Sequence, residues 1–294
     1  MKKYLLLSLV VCMALFVQSC GSKDAQKTTI TVSLEPQKYF LDKIVGDKID
    51  VECLLANGAN PENYEPSMEN LMQLERSAAY VKMGNVGFEQ VLVDKLKQNN
   101  TSLKVYDASK GIDLVMGTHD CCEHHDHHGH HHHEATADPH TWTSVKNAKV
   151  IAKNMYDVVL EVDPENKDYY KTNYDNLVAS LDSLDNYATK KLADVKGCSF
   201  LVWHPSLSYF ARDYGLNQIT IGQIGKELSA MQMQEQIDKA RNSKAHVFFF
   251  QKEYDSRQAS VLNEQVGTKM ITINPLSYDW EDEIRRIVDA IASK

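Results

Sequence analysis

The stretch DPENKDYYKTNYDNLVASLDSLDNYATKKLADV, residues 163–195, decides the fold. It opens with Asp163 in the N-cap position and Pro164 at the first helical position, where proline's fixed φ and missing N–H suit a first turn. Its apolar residues Tyr170, Tyr174, Leu177, Leu181, Leu184 and Ala188 step by four and three, holding one stripe along a single helix. Such a helix is roughly 45 Å long, enough to run the height of two packed lobes. Before it, β-branched runs at Thr28 to Leu34, Ile49 to Leu55, Ala79 to Met83 and Leu103 to Tyr106 alternate with helical patterns such as Met68 to Arg76 and Phe88 to Gln98. After it, the scheme repeats at Phe200 to Trp203, Ile219 to Ile221, Val247 to Phe250 and Met270 to Ile273, with a capping box at Ser229 opening a further helix to about Arg241. Strands alternating with helices imply βαβ units. The expected class is α/β: two (βα) lobes with mainly parallel sheets, at 28–162 and 196–294, joined by one long rigid linker helix at 163–195.

The 294 residues leave room for about two ordinary domains, and 43% hydrophobic with 24% charged residues is an ordinary globular composition. A net charge of −8 argues against nucleic acid and polybasic lipid binding, because both need clustered positive charge to meet phosphates. Cationic partners fit better. Of twelve His, nine fall between residues 119 and 133: His119, His124, His125, His127, His128, His130, His131, His132 and His133. This segment, 119–134, has no apolar periodicity and is expected to be disordered without metal. Its imidazoles suit it to weak metal capture, metal sensing or passage of ions to a tighter site, and capture should weaken as they protonate near pH 6.5.

Lys2 and Lys3 precede a fourteen-residue apolar run from Tyr4 to Val17, the pattern of a secretory signal and short for a membrane span. The run ends in Val17-Gln18-Ser19-Cys20-Gly21, which resembles a bacterial lipobox with Gln18 in place of the usual small residue. The reading is a removed signal at 1–19, a lipid on Cys20 and a polar tether over 20–27. Loss of Lys2 and Lys3 with the signal lowers the formal charge from −8 to −10. Cys121 and Cys122, adjacent inside the His-rich segment, suit soft metal ligation better than a strained disulfide between neighbours, whereas Cys53 and Cys198 read as buried free thiols.

Four loops offer candidate metal donors. His140 lies in Asp138-Pro139-His140-Thr141-Trp142 just ahead of a helix, and His204 lies in Trp203-His204-Pro205 just beyond a strand. Ligands of open α/β sheets gather at the carboxyl ends of strands, and a flanking proline fixes the backbone of each His. In Pro61-Glu62-Asn63-Tyr64-Glu65-Pro66 either Glu62 or Glu65 could present a carboxylate to the same cleft, and Asp279 precedes the closing helix after Asn274-Pro275-Leu276. Four N or O donors suffice for a four-coordinate ion. Trp142 and Trp203 could wall the site or simply pack, and His246 reads as a strand-end residue.

These motifs, in this order along nearly the whole chain after the signal, resemble the cluster A-I solute-binding proteins of zinc and manganese ABC transporters. The family's Pro-His-x-Tyr-Glu-Pro is similar to residues 61–66, its Asp-Pro-His-x-Trp matches 138–142, and its His-x-x-x-x-Tyr-Phe-Ala followed by Tyr-Gly-Leu matches 204–216. The resemblance implies an ion held in the interlobe cleft by His140 and His204, with Asp279 near the place of the final carboxylate and Glu62 where the family usually has its first His. Water or a His of the histidine-rich segment is the alternative to Glu62 in that set. Glu65 and Gln251 are expected to support the ligands from behind. Two carboxylates lean toward manganese, but His at 204 and the His-rich segment are marks of the zinc branch, and imidazole ranks manganese lowest. The expected cargo is therefore Zn2+, with Mn2+ as the alternative. The implied partners are an ABC permease in the inner membrane and, through the lipid, the membrane itself; the receptor is expected to be a monomer facing the periplasm. No His-Glu-x-x-His motif is present, and no enzyme activity is expected, which sets a zinc hydrolase and a free-standing zinc buffer as rivals.

Overall fold

A computed structural model describes residues 27–55, 58–98, 102–116, 136–222 and 228–293. The export signal, Cys20 and the His-rich segment with Cys121 and Cys122 lie outside the described residues.

The first lobe runs β1 (Thr29–Val32), α1 (Glu35–Val45), β2 (Asp50–Cys53), α2 (Met68–Arg76), β3 (Ala79–Lys82), α3 (Gly87–Gln98) and β4 (Lys104–Asp107). Its strands pair parallel in the order β2-β1-β3-β4. Two long helices follow, α4 (Val145–Val162) and α5 (Lys167–Lys191), separated by a 3-10 turn at Pro164–Asn166. The second lobe then repeats the pattern with β5 (Ser199–Val202), α6 (Ser208–Tyr214), β6 (Asn217–Thr220), α7 (Ala230–Ser243), β7 (Val247–Gln251), α8 (Arg257–Val266), β8 (Lys269–Ile273) and α9 (Trp280–Ala292). Its sheet is parallel in the order β6-β5-β7-β8. The two-lobe α/β reading holds. The connector is one long α-helix with a 3-10 turn at each end, because Pro164 and its neighbours make a tight first turn and Ala193–Val195 a tight last one. Asp163 stays at its head, accepting hydrogen bonds from Tyr170 (2.5 Å) and Asn166 (2.7 Å). Among the described residues, no helix is long and apolar enough to cross a membrane.

The stripe on α5 buries Tyr170, Leu177, Leu181, Leu184 and Ala188, while Tyr174 stacks on Tyr156 of α4 with ring centroids 4.5 Å apart. Polar links bind α5 to both lobes: Asn173 donates to the Ile44 carbonyl on one side, and Ser180 donates to Glu281 on the other. One hydrophobic core passes through both lobes, from Ile30 and Val32 of β1 to Ile284 and Val288 of α9.

Two indoles fasten the lobes directly. The Trp142 ring N–H donates to the Pro275 carbonyl and the Trp280 ring N–H donates to the Trp142 carbonyl, each at 2.9 Å and buried. Trp280 also packs edge-on against Phe40 of α1. A buried carbonyl that loses its donor costs about 1–3 kcal/mol. Trp280→Phe, which keeps most of the ring and removes the N–H, is therefore expected to lower unfolding stability by about 1–3 kcal/mol, read as a shift of denaturant midpoint at unchanged slope.

Candidate metal centre

In the second sheet, successive crossovers leave β5 in opposite directions, to β6 on one side and β7 on the other, which opens a crevice at their carboxyl ends. His204 stands there, two residues beyond β5, and Gln251 ends β7. The Gln251 side chain accepts from the His204 amide at 3.2 Å, donates to the His204 carbonyl at 2.6 Å, and donates to the Ser206 hydroxyl. It clamps the backbone of His204 and leaves the ring free. Gly222 crosses the neighbouring Trp203 so closely that a Cβ would strike the Trp203 carbonyl, so only glycine fits.

His140 comes from the first lobe. It heads the 3-10 turn Thr141–Thr143 that leads into α4. Asp138 accepts from the His140 amide at 2.9 Å and from its ring Nδ1 at 2.8 Å. That bond fixes the tautomer, placing the lone pair on Nε2. Burial alone would raise the Asp138 carboxyl, but hydrogen bonds and charge from His140 outweigh it and hold the group below its ordinary value. Tyr209 of the second lobe donates to the Asp138 carbonyl at 2.6 Å, so the support for His140 is itself shared between lobes.

The two rings meet with Nε2 facing Nε2 at 3.1 Å, and Glu62 Oε1 lies 3.3 Å from the same nitrogen of His204. Donor atoms of Glu62, His140 and His204 all lie within 4.8 Å of one another. Two nitrogens each ~2.0–2.1 Å from a tetrahedral zinc are themselves ~3.3 Å apart, so these spacings suit a shared ion. The cavity between them is about 10 Å³, room for one ion or water molecule and for no organic ligand. Burial, then the neighbouring His140, pushes His204 down to about 3, so its ring is neutral and ready to ligate at physiological pH. Its Nδ1 is buried with no hydrogen-bond partner among the described residues.

Tyr254 closes the cavity. Its ring stacks on His204 with centroids 5.3 Å apart, and its hydroxyl donates to Glu62 Oε2 at 3.1 Å, a bond from second lobe to first. Glu62 Oε1 is left facing the histidines.

The other expected donors and supports fall elsewhere. Asp279 is exposed at the head of α9, its amide donating to Ser277, and is absent from the cavity wall. The turn before it sets this outcome: Asn274 is drawn to Glu283 at 2.7 Å, so Pro275 and Leu276 face the cavity and the chain turns outward before reaching Asp279. Glu65 is exposed, and the His140 ring is held by Asp138 instead. Trp142 lines the cavity, whereas Trp203 packs in the second lobe's own core. His246 bonds the Ile291 carbonyl far from the cavity, and Cys53 and Cys198 are free, half-buried thiols. Asp138, which holds the His140 ring, and Tyr254, which bonds Glu62, are not among the residues expected from the sequence, nor is Glu253, which lines the same cavity. For Asp138 the signal was a carboxylate two residues ahead of His140, across a proline; for Glu253 and Tyr254 it was their place just past a strand's carboxyl end.

The model of the family described as "ZnuA: Zinc-uptake complex component A periplasmic" matches residues 30–294. The chain belongs to that family. The high-affinity zinc uptake system protein ZnuA of Bacillus subtilis (strain 168) is 30% identical over 288 residues, covering 94% of this chain and 89% of the relative. The zinc-binding lipoprotein AdcA of Streptococcus pneumoniae (strain R6) is 29% identical over 300 residues, of which this chain spans only 57% of the length. A crystal structure of ZnuA superposes with a TM-score of 0.79 at 32% identity, covering 90% of this chain and 98% of the other. A ZnuA deletion mutant with zinc bound gives 0.78 at 32% identity, covering 90% and 96%.

Asp138→Ala frees the His140 ring to rotate and change tautomer, so affinity for a divalent ion should fall about 10–100-fold in a chelator competition. A second expectation concerns acid. Between pH 6.5 and about 3 the unfolded chain protonates His204 and the folded metal-free chain does not, so stability is complete above that window and drains away as pH falls through it. Chemical unfolding at several pH values should show a shallower acid slope for His204→Gln than for the unsubstituted protein.

Proposed function

We propose that this chain is an extracytoplasmic solute-binding protein that captures Zn2+ between its lobes and delivers it to an ABC permease for zinc uptake. The observation that carries the reading is the trio Glu62, His140 and His204, drawn from both lobes around a cavity of single-ion size. An incoming ion exchanges water for two imidazole nitrogens and one carboxylate oxygen, held by Asp138, Gln251 and Tyr254 before it arrives. Such preorganisation spares the ion most of the ordering cost of binding. The names of the zinc-uptake relatives support the same cargo, and their periplasmic and lipoprotein descriptions support export with a lipid on Cys20.

The protein carries the ion and does no chemistry on it. A cavity of about 10 Å³ leaves no room for a peptide or ester group beside a bound ion, which disfavours a hydrolase. The His-rich segment acts as an auxiliary, weaker store. Glu62 favours a second reading, manganese, because a carboxylate is harder than imidazole; the two histidines outweigh it, since manganese lies lowest in affinity for nitrogen donors.

Titration of the purified protein with Zn2+ and Mn2+ tests these statements together. His140→Ala and His204→Ala should each weaken Zn2+ binding by more than about 100-fold, beyond the loss of an outer partner. Deletion of residues 119–133 should leave the tight site intact and remove only weaker equivalents. Tight binding that survives both His substitutions and disappears with the segment would replace the receptor by a buffer. Tighter Mn2+ than Zn2+ binding would reverse the choice of cargo.

A further inference from the structure

We propose that Glu253 is the fourth donor to the captured ion, completing from the second lobe the set begun by Glu62, His140 and His204. The proposal rests on the zinc-receptor reading and deepens it.

Three observations converge on this residue. Glu253 sits two residues past the end of β7, in the crevice that holds His204, and lines the same cavity as the three donors. Its Oε2 is fully buried with no hydrogen-bond partner among the described residues. Burying a carboxylate oxygen without a donor is costly, and such atoms in folded proteins mark an absent ion or a functional group. Finally, the three-donor set has an open vertex, and the remaining wall does not fill it. Pro61, Trp142, Pro275 and Leu276 carry no anionic group, the Asn60 amide oxygen already accepts from the Glu62 amide, and Ser206 is engaged by Gln251. Asp279 lies outside the wall, and Glu62 has one oxygen committed to Tyr254.

The charge balance also fits. Two neutral imidazoles and the single charge of Glu62 leave a divalent ion half neutralised in a buried site, and Glu253 supplies the missing negative charge. Without an ion the two carboxylates repel, and Glu253 lines the cavity without belonging to the group of donors lying within 4.8 Å of one another. Ion binding reverses that repulsion and draws the carboxylate in by a side-chain rotation. Its neighbour Tyr254 is already tied to Glu62, so the same turn both closes the cavity and supplies the last ligand.

The test compares the unsubstituted protein with Glu253→Gln, Glu253→Ala and His140→Ala, using chelator competition for Zn2+ and the visible spectrum of the Co2+-loaded protein as a reporter of coordination. Thermal unfolding of each metal-free variant serves as a control for folding. Both Glu253 variants should lose about 100-fold or more in Zn2+ affinity, more than an outer partner's removal causes. Their Co2+ bands should shift and change intensity, a response that a residue with a purely packing role would not produce. Glu253 variants that keep both the affinity and the Co2+ spectrum, while His140→Ala loses Zn2+, would overturn the fourth donor and leave the receptor standing. An unsubstituted protein without tight Zn2+ binding, or one unaffected by His140→Ala, would instead overturn the reading beneath it. Should Glu253→Ala fail to fold, the near-isosteric Glu253→Gln still decides the question.

Discussion

Two imidazole nitrogens held 3.1 Å apart across a lobe boundary are the constraint on which the rest of this structure depends. Both rings are buried, and burial together with the neighbouring His140 holds the His204 ring neutral, with a lone pair to offer. Neutral rings at this spacing do not hold themselves in place. Asp138 fixes the ring of His140, Gln251 fixes the backbone of His204, and neither anchor could work unless the lobes kept a constant separation. The indoles of Trp142 and Trp280, exchanged across the boundary, and the α5 helix stitched to both sides provide that separation.

This mode of construction limits how an ion can leave. A core continuous from β1 to α9 opposes a wide swing of one lobe against the other, because opening it would expose apolar surface and break the buried indole bonds. The weaker closure is at the cavity mouth, where the Tyr254 hydroxyl meets the exposed side of Glu62. An ion held there would leave through that mouth, by movement of the short β7–α8 turn and of the Glu62 side chain, with the paired sheets in place.

The elements were legible because each is specified by neighbours along the chain. Asp163 and Pro164 open the connector, Ser229 and Gln232 make their capping box, and β-branched runs became strands within a residue or two. His140 and His204 could be picked out by their prolines and their places beside a helix start and a strand end. The supports were harder. Glu65 and Asp138 are both carboxylates near candidate ligands, and nothing in their spacing said which would reach the His140 ring. Asp279 lies close in sequence to Pro275 and Leu276, yet the pull of Glu283 on Asn274 turns the chain away from the cavity before it arrives. Glu253 and Tyr254 carried only their place just past the carboxyl end of β7, and an acidic residue beside an aromatic there is common on any surface.

The sequence by itself determined the two α/β lobes, the long connector, the family and the two histidines, because periodicity, capping and short motifs act over a few residues at a time. Only the tertiary structure decided which carboxylate faces those histidines, which orients them and which tyrosine covers them. Those choices rest on distances between residues far apart in the chain, such as Glu62 and Tyr254, and on burial that removes water as a competing partner. Both come into being only when the lobes close on one another.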